Sequence, residues 1–107
     1  LVNIDLMGNG ADGVMVVNGT LNPSEFQLLK TINEKDKYLP EIKIRGKAAN
    51  SDHYWFAQSG VPAFFFYLMG PYPFYHDVND KASALPLTNF DQAFSLFQSF
   101  ISKLQFQ

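Results

Sequence analysis

Three short segments concentrate the side chains of this 107-residue sequence that could do chemistry: "NIDLMG" at 3–8, "SDH" at 51–53 and "YHDVND" at 75–80. They hold both histidines of the chain, His53 and His76, together with Asp5, Asp52, Asp77 and Asp80. A neutral imidazole is a common zinc ligand, and a carboxylate suits the same ion. Each also has a plain reading. Asp5 on the polar side of a strand is most simply a solvated or turn-bonded carboxylate. Asp52 at a helix start is accounted for by the helix dipole. His53 reads as packed against its helix or hydrogen-bonded in the core. Asp77 and Asp80 can cap a turn around residues 79–83. His76 is the strongest single ligand candidate. Ser51, Asp52 and His53 are neighbours in sequence, which is no sign of a nucleophilic triad in space. "GNGADG" at 8–13 lacks both the lysine of a phosphate-binding loop and the glycine spacing of a dinucleotide site.

The elements that must position these residues follow from periodicity. "LVNIDLM" alternates, with Val2, Ile4 and Leu6 opposed to Asn3 and Asp5, and predicts a strand ended by the glycine-rich turn. "VMVVNGT" predicts a second strand, in a hairpin with the first or near it. Asn22 as cap, Pro23 at the first helical position and Glu25 predict a helix to about Tyr38, with Phe26, Leu29 and Ile32 on its apolar face. "EIKIRGKA" alternates as a strand with one wet face. "SDHYWFAQSG" reads as a short helix, with Ser51 as cap and Gly60 as left-handed stop. "VPAFFFYLMG" has the continuous apolar character of a strand covered on both sides. "TNFDQAFSLFQSFISKL" predicts the last helix, with a Thr88–Asp91 capping box and a stripe of Phe90, Phe94, Phe97, Ile101 and Leu104. Strands alternating with helices give an α/β class, a mixed and mostly parallel sheet flanked by helices. Ligands gather outside the carboxyl ends of strands in such sheets, and Asp5 and His76 both stand near a strand end.

Composition narrows the classes. The net charge of −2 supplies no basic surface for nucleic acid or anionic lipid. No apolar run approaches the ~20 residues of a membrane helix. The absence of cysteine excludes a disulfide frame and thiolate metal sites, and identifies no compartment. Eleven phenylalanines suit a sheet buried on both faces, or a piece of a larger body. The sequence opens inside a strand, which leads us to expect the C-terminal part of a longer chain.

Taken in order, "NIDLMG", "SDHYWFAQSGVPA" and "YHDVND" resemble the C-terminal half of the M28 family of zinc aminopeptidases. That family carries N-x-D-M-x-G, then S-D-H-x-x-F before G-I-P-A, then Y-H-T-x-x-D ahead of a final helix. The resemblance spans Asn3 to the last helix and implies part of a three-layer α/β/α zinc-peptidase fold. It implies two zinc ions in the parent protein, with Asp5 a ligand of one and His76 of the other. Tyr75 is implied as a hydrogen-bond donor to the oxyanion of the tetrahedral intermediate. Asp52 and Asp80 are implied as carboxylates that steady the site from behind its ligands. The implied activity is hydrolysis of N-terminal residues from peptides by a metal-activated water, with peptide as substrate and the rest of the parent chain as partner. Two departures are Asp77 where threonine is usual, and Leu6-Met7 where methionine more often comes first.

The family's H-x-D and Glu-Glu pairs, which supply the other ligands and the general base, have no counterpart here. Glu25, Glu34 and Glu41 are the only glutamates, and none is in such a pair. The chain alone is therefore expected to be inactive and to hold zinc weakly. Two alternatives stay open: a glutaminyl-cyclase-like zinc enzyme, and a non-catalytic binding domain on the same fold. The strand 64–67 and Trp55 read chiefly as core, with a share in a side-chain pocket as the alternative. Compartment is not legible in the residues, though the resemblance points to export of the parent.

Overall fold

The apolar segment Phe64–Met69 is the central strand of the molecule, as seen in a computed structural model that describes residues 1–104. Four strands form one sheet: β1 (Val2–Ile4), β2 (Gly13–Val17), β3 (Ile42–Ile44) and β4 (Phe64–Met69), in the spatial order β1-β4-β2-β3. β1 and β4 run parallel, as do β2 and β3, while β2 and β4 are antiparallel. Three longer helices accompany them: α1 (Pro23–Asp36), α2 (His53–Gln58) and α3 (Phe90–Lys103). The mixed, mostly parallel α/β architecture expected from the sequence is the one observed.

Strand alternation sorts β4 into two faces. Phe64, Phe66 and Leu68 enter a core with Leu29 and Ile32 of α1 and with Ala93, Leu96, Phe97 and Phe100 of α3. Phe66 has no exposed surface and stacks on Phe97 with ring centroids 4.9 Å apart. Phe65 points the other way and is covered by His53 of α2, with centroids 5.4 Å apart. Helices thus cover both sides of the sheet. A strand that is apolar on both faces loses least surface to water in the middle of the sheet, and β4 lies there.

That placement corrects one expectation. β2 forms no hairpin with β1, because β4 lies between them. Several element ends also differ. β1 stops at Ile4, since Leu6 adopts a left-handed φ of 58° that no strand accommodates. The final helix begins at Phe90 after a left-handed Asn89, and the Thr88–Asp91 capping box does not form. Thr88 instead gives its carbonyl to the Gly10 amide at 2.8 Å. Ser51 does not cap α2 either; its hydroxyl accepts a 2.7 Å hydrogen bond from Asn3 Nδ2. Asn22 precedes α1 as expected, yet its side chain donates to the Asn18 carbonyl. Gly60 takes the left-handed φ expected of a stop, at 85°. Trp55 is 72% exposed and no part of the core.

α1 closes through Asn33, which is buried and bonds both ways to the backbone of Leu39, each at 2.9 Å. These bonds return the chain to the sheet at β3. Gly13 is required at the start of β2: its φ is 104°, and a Cβ there would run into the Glu41 carbonyl.

Candidate functional site

Because β1 and β4 are parallel neighbours, the segments that leave them emerge at the same end of the sheet. Asp5 is the first residue after β1, and the loop 70–80 follows β4. Between them lies an open cavity of about 430 Å³ whose walls include Asp5, Asn9, Tyr67, Tyr72, Tyr75 and Asp80. Asp5 is exposed, and its Oδ1 accepts a 2.8 Å bond from the Leu6 amide. The positive φ of Leu6 turns the chain outward and leaves the Asp5 carboxylate on the cavity wall.

The loop is held at both ends. Asn9 Nδ2 donates to the Pro71 carbonyl at 2.8 Å, while Asn9 Oδ1 accepts from the Ala11 amide. Gly70 lies so close to the Asn9 side chain that a Cβ there would collide with it. At the far end, the Tyr72 hydroxyl donates to Asp80 Oδ1 and draws the loop together across eight residues. This bond to a carboxylate, burial and the Asp80 charge, in that order, push the Tyr72 phenol up to about 12. Two reverse turns, Asp77 N to Phe74 O and Asp80 N to Asp77 O, shape the interior of the loop. Tyr75 and His76 sit at its tip, both exposed, with ring centroids 4.0 Å apart. His76 holds a left-handed φ of 61°.

The structure thus brings three of the sequence-derived candidates, Asp5, Tyr75 and Asp80, onto one cavity. His76 adjoins Tyr75 but does not line that cavity, and neither does Asp52. Asp52 is exposed beside Ser51, which is bonded to Asn3 two residues before Asp5. Tyr67, Tyr72 and Asn9 are wall residues that sequence reasoning did not single out. "P-Y-P" offers no signal that Tyr72 reaches Asp80, since the contact depends on how the loop folds back. Asn9 sits in a glycine-rich turn, where asparagine is common for purely local reasons.

Among the described residues, no three His, Cys, Asp or Glu side chains cluster closely enough to hold a metal ion.

Comparison with known proteins decides the family. Residues 1–101 match the model of peptidase family M28. The chain belongs to this family. A solved structure, that of the Legionella pneumophila LapA aminopeptidase, superposes with a TM-score of 0.67 at 22% identity. The match covers 97% of the present M28 chain and 31% of that structure, so the chain spans about a third of its length. At this identity the likeness speaks to the fold. No curated protein sequence matches this chain.

Proposed function

We propose that this M28 chain forms one wall of the active site of a zinc-dependent aminopeptidase, which removes N-terminal residues from peptides. The observation that carries the reading is the cavity at the shared carboxyl end of β1 and β4, where Asp5, Tyr75 and Asp80 converge. In this reading Asp5 and His76 each give one ligand to a two-zinc centre. The remaining ligands and the water-activating base come from other parts of a longer polypeptide. The metals, when bound, lower the pKa of water and polarise the scissile carbonyl. Tyr75 directs its hydroxyl to the oxygen that gains charge during attack. Asp80 steadies the loop by accepting from Tyr72, and Asp52 supports the site from the start of α2.

The test uses the longer protein, assayed on amino-acyl anilides and on peptides with blocked and free N-termini. The expected result is turnover of free N-termini that disappears on zinc chelation and returns with added zinc. It also falls with Asp5→Asn and with His76→Ala, each accompanied by lower zinc content. Cyclisation of N-terminal glutamine without hydrolysis would assign a glutaminyl cyclase instead. Full zinc content in both variants would remove Asp5 and His76 from the metal centre.

A further inference from the structure

β1 lies at one edge of the sheet, and among the described residues no strand pairs with its outer side. The register with β4 turns the backbone of residues 1, 3 and 5 inward. The Leu1 carbonyl accepts from the Phe64 amide at 2.9 Å, and the Asp5 amide donates to the Phe66 carbonyl at 3.2 Å. Val2 and Ile4 therefore point their amides and carbonyls outward, away from β4. A row of such groups is a template for another strand, and native edges are commonly guarded by charge. β3, at the opposite edge, is guarded in this way by Lys43 and Arg45. β1 carries no charged side chain. Beside it runs a groove of about 490 Å³, between Ile4 and the Phe90, Phe94 and Ile101 side chains of α3. All four are exposed, Phe94 to 61%. Spacings of four and seven place the three helix residues on one stripe, next to the stripe of Ala93, Leu96, Phe97 and Phe100 that fills the core. α3 is thus apolar over more of its circumference than the core covers. The polar residues on the groove walls, Gln98 and Ser102, are uncharged.

We propose that this face receives a β-strand from the rest of a longer polypeptide, which pairs with the outer edge of β1 and sends alternate, large apolar side chains into the groove on α3. The outward groups of Val2 and Ile4 call for an extended backbone, and every second side chain of an added strand falls on the α3 side of the sheet. The same polypeptide is the source, because the LapA structure contains this fold within a body about three times longer. A second copy of the chain fits poorly. Its own β1 has three residues and would offer only Val2 and Ile4 to the groove, and Val2 is already packed against its own core. A charged segment finds no opposite charge on the groove walls. Docking also bears on the first cavity. β1 leads directly into Asp5, so pairing on both of its sides fixes the segment that carries this carboxylate. Met7 lines both the groove and the Asp5 cavity, so filling the one packs the wall of the other. The proposal rests on the longer polypeptide of the peptidase reading and on none of its zinc chemistry.

The test places the photo-crosslinker p-benzoylphenylalanine at position 94 of the longer protein and maps the linked peptide by mass spectrometry. The expected result is a link within one molecule, to a segment outside the 107 residues in which apolar side chains alternate. Amide hydrogen exchange at Val2 and Ile4 should be slower in the longer protein than in the 107-residue chain, on the order of 10²-fold or more. Phe94→Lys should leave the melting temperature of the 107-residue chain unchanged and lower that of the longer protein. A link between two molecules would assign the face to a second copy and overturn the proposal. A link confined to the 107 residues, or none, would overturn it too. So would equally fast exchange in the two proteins, or Phe94→Lys being equally harmless in both. None of these readouts involves turnover or zinc, so failure of the peptidase chemistry would leave them unchanged.

Discussion

The hydroxyl of Tyr72 donates to the carboxylate of Asp80, closing the loop after β4 upon itself and forming part of the wall that faces Asp5. The phenol must stay protonated to make this bond, and its pKa is accordingly raised from 10.0 to about 12. A raised folded-state value means that the stabilisation is fully present below the unfolded value near 10. It is then lost as pH rises through about 12. Ultraviolet titration of the five tyrosines should therefore show one that ionises late, and Tyr72→Phe should delete that late step. A titration curve unchanged by Tyr72→Phe would show that the bond does not persist in solution.

Tyr75 lies on the same wall, and its neighbour His76 should behave differently. In the aminopeptidase proposed above, Tyr75→Phe is expected to leave zinc content intact and lower turnover about 10²-fold, the usual scale for one lost oxyanion donor. His76→Ala is expected to lower zinc content and turnover together. Metal analysis beside steady-state kinetics separates the two. Unchanged turnover in Tyr75→Phe would leave Tyr75 a packing residue.

For the 107-residue chain alone, no amino-acyl anilide hydrolysis and only weak zinc binding are expected. A lone carboxylate or imidazole competes poorly with the water shell of zinc, and no three ligands cluster among the described residues. Calorimetric titration with zinc measures this. Submicromolar binding with metal-dependent turnover would mean that the chain carries a whole site.

The core should be sensitive at Phe66, which has no exposed surface and contacts both Phe97 and Phe100. Phe66→Ala should cost about 3–5 kcal/mol in urea unfolding, from lost burial and the cavity left behind. Asn33→Ala should cost about 1–3 kcal/mol, because it strands the buried amide and carbonyl of Leu39. A cost below half a kilocalorie for either would place the residue outside the cooperative core.

Much of the fold was legible because hydrophobic periodicity is a local signal. The unbroken run through Phe64, Phe65 and Phe66 announced a strand covered on both faces, and α1 carries Leu29 and Ile32 on its buried side as expected, whereas α3 buries Ala93, Leu96, Phe97 and Phe100 and leaves Phe90, Phe94 and Ile101 of the expected stripe exposed. Pairing was less legible, since nothing in residues 1–20 records that a strand sixty residues later comes between β1 and β2. Capping failed at two positions for different reasons. At Ser51 the hydroxyl is taken by Asn3, while at Thr88 the helix begins a residue later than the box requires, after the left-handed Asn89. At the site, the positions of Asp5 and the 70–80 loop were readable from strand ends. Tyr72 and Asn9 were not, because their partners are set by loop closure rather than by spacing. His53 was expected to be packed or hydrogen-bonded, and it is packed, on Phe65, with both nitrogens unmet.

The seam at residues 8–10 has a bearing on the order in which the molecule is made. Gly10 bonds to Thr88, Leu87 bonds to Gly8, and Asn89 reaches the Gly10 carbonyl, while β1 pairs with β4. Every one of these links joins the start of the chain to residues more than sixty positions later. Contacts of such long sequence separation form late, because loop closure must come before they stabilise anything. During synthesis, the segment that carries Asp5 must therefore wait without its pairing strand until β4 has been made, and without its seam until residue 89. β2, β3 and α1 have partners much nearer in sequence and can gather first. The Asp5 wall thus waits as long as the core face that α3 closes, and slow or interrupted folding should deplete the site and the docking of α3 before it depletes the pairing of β2 with β3.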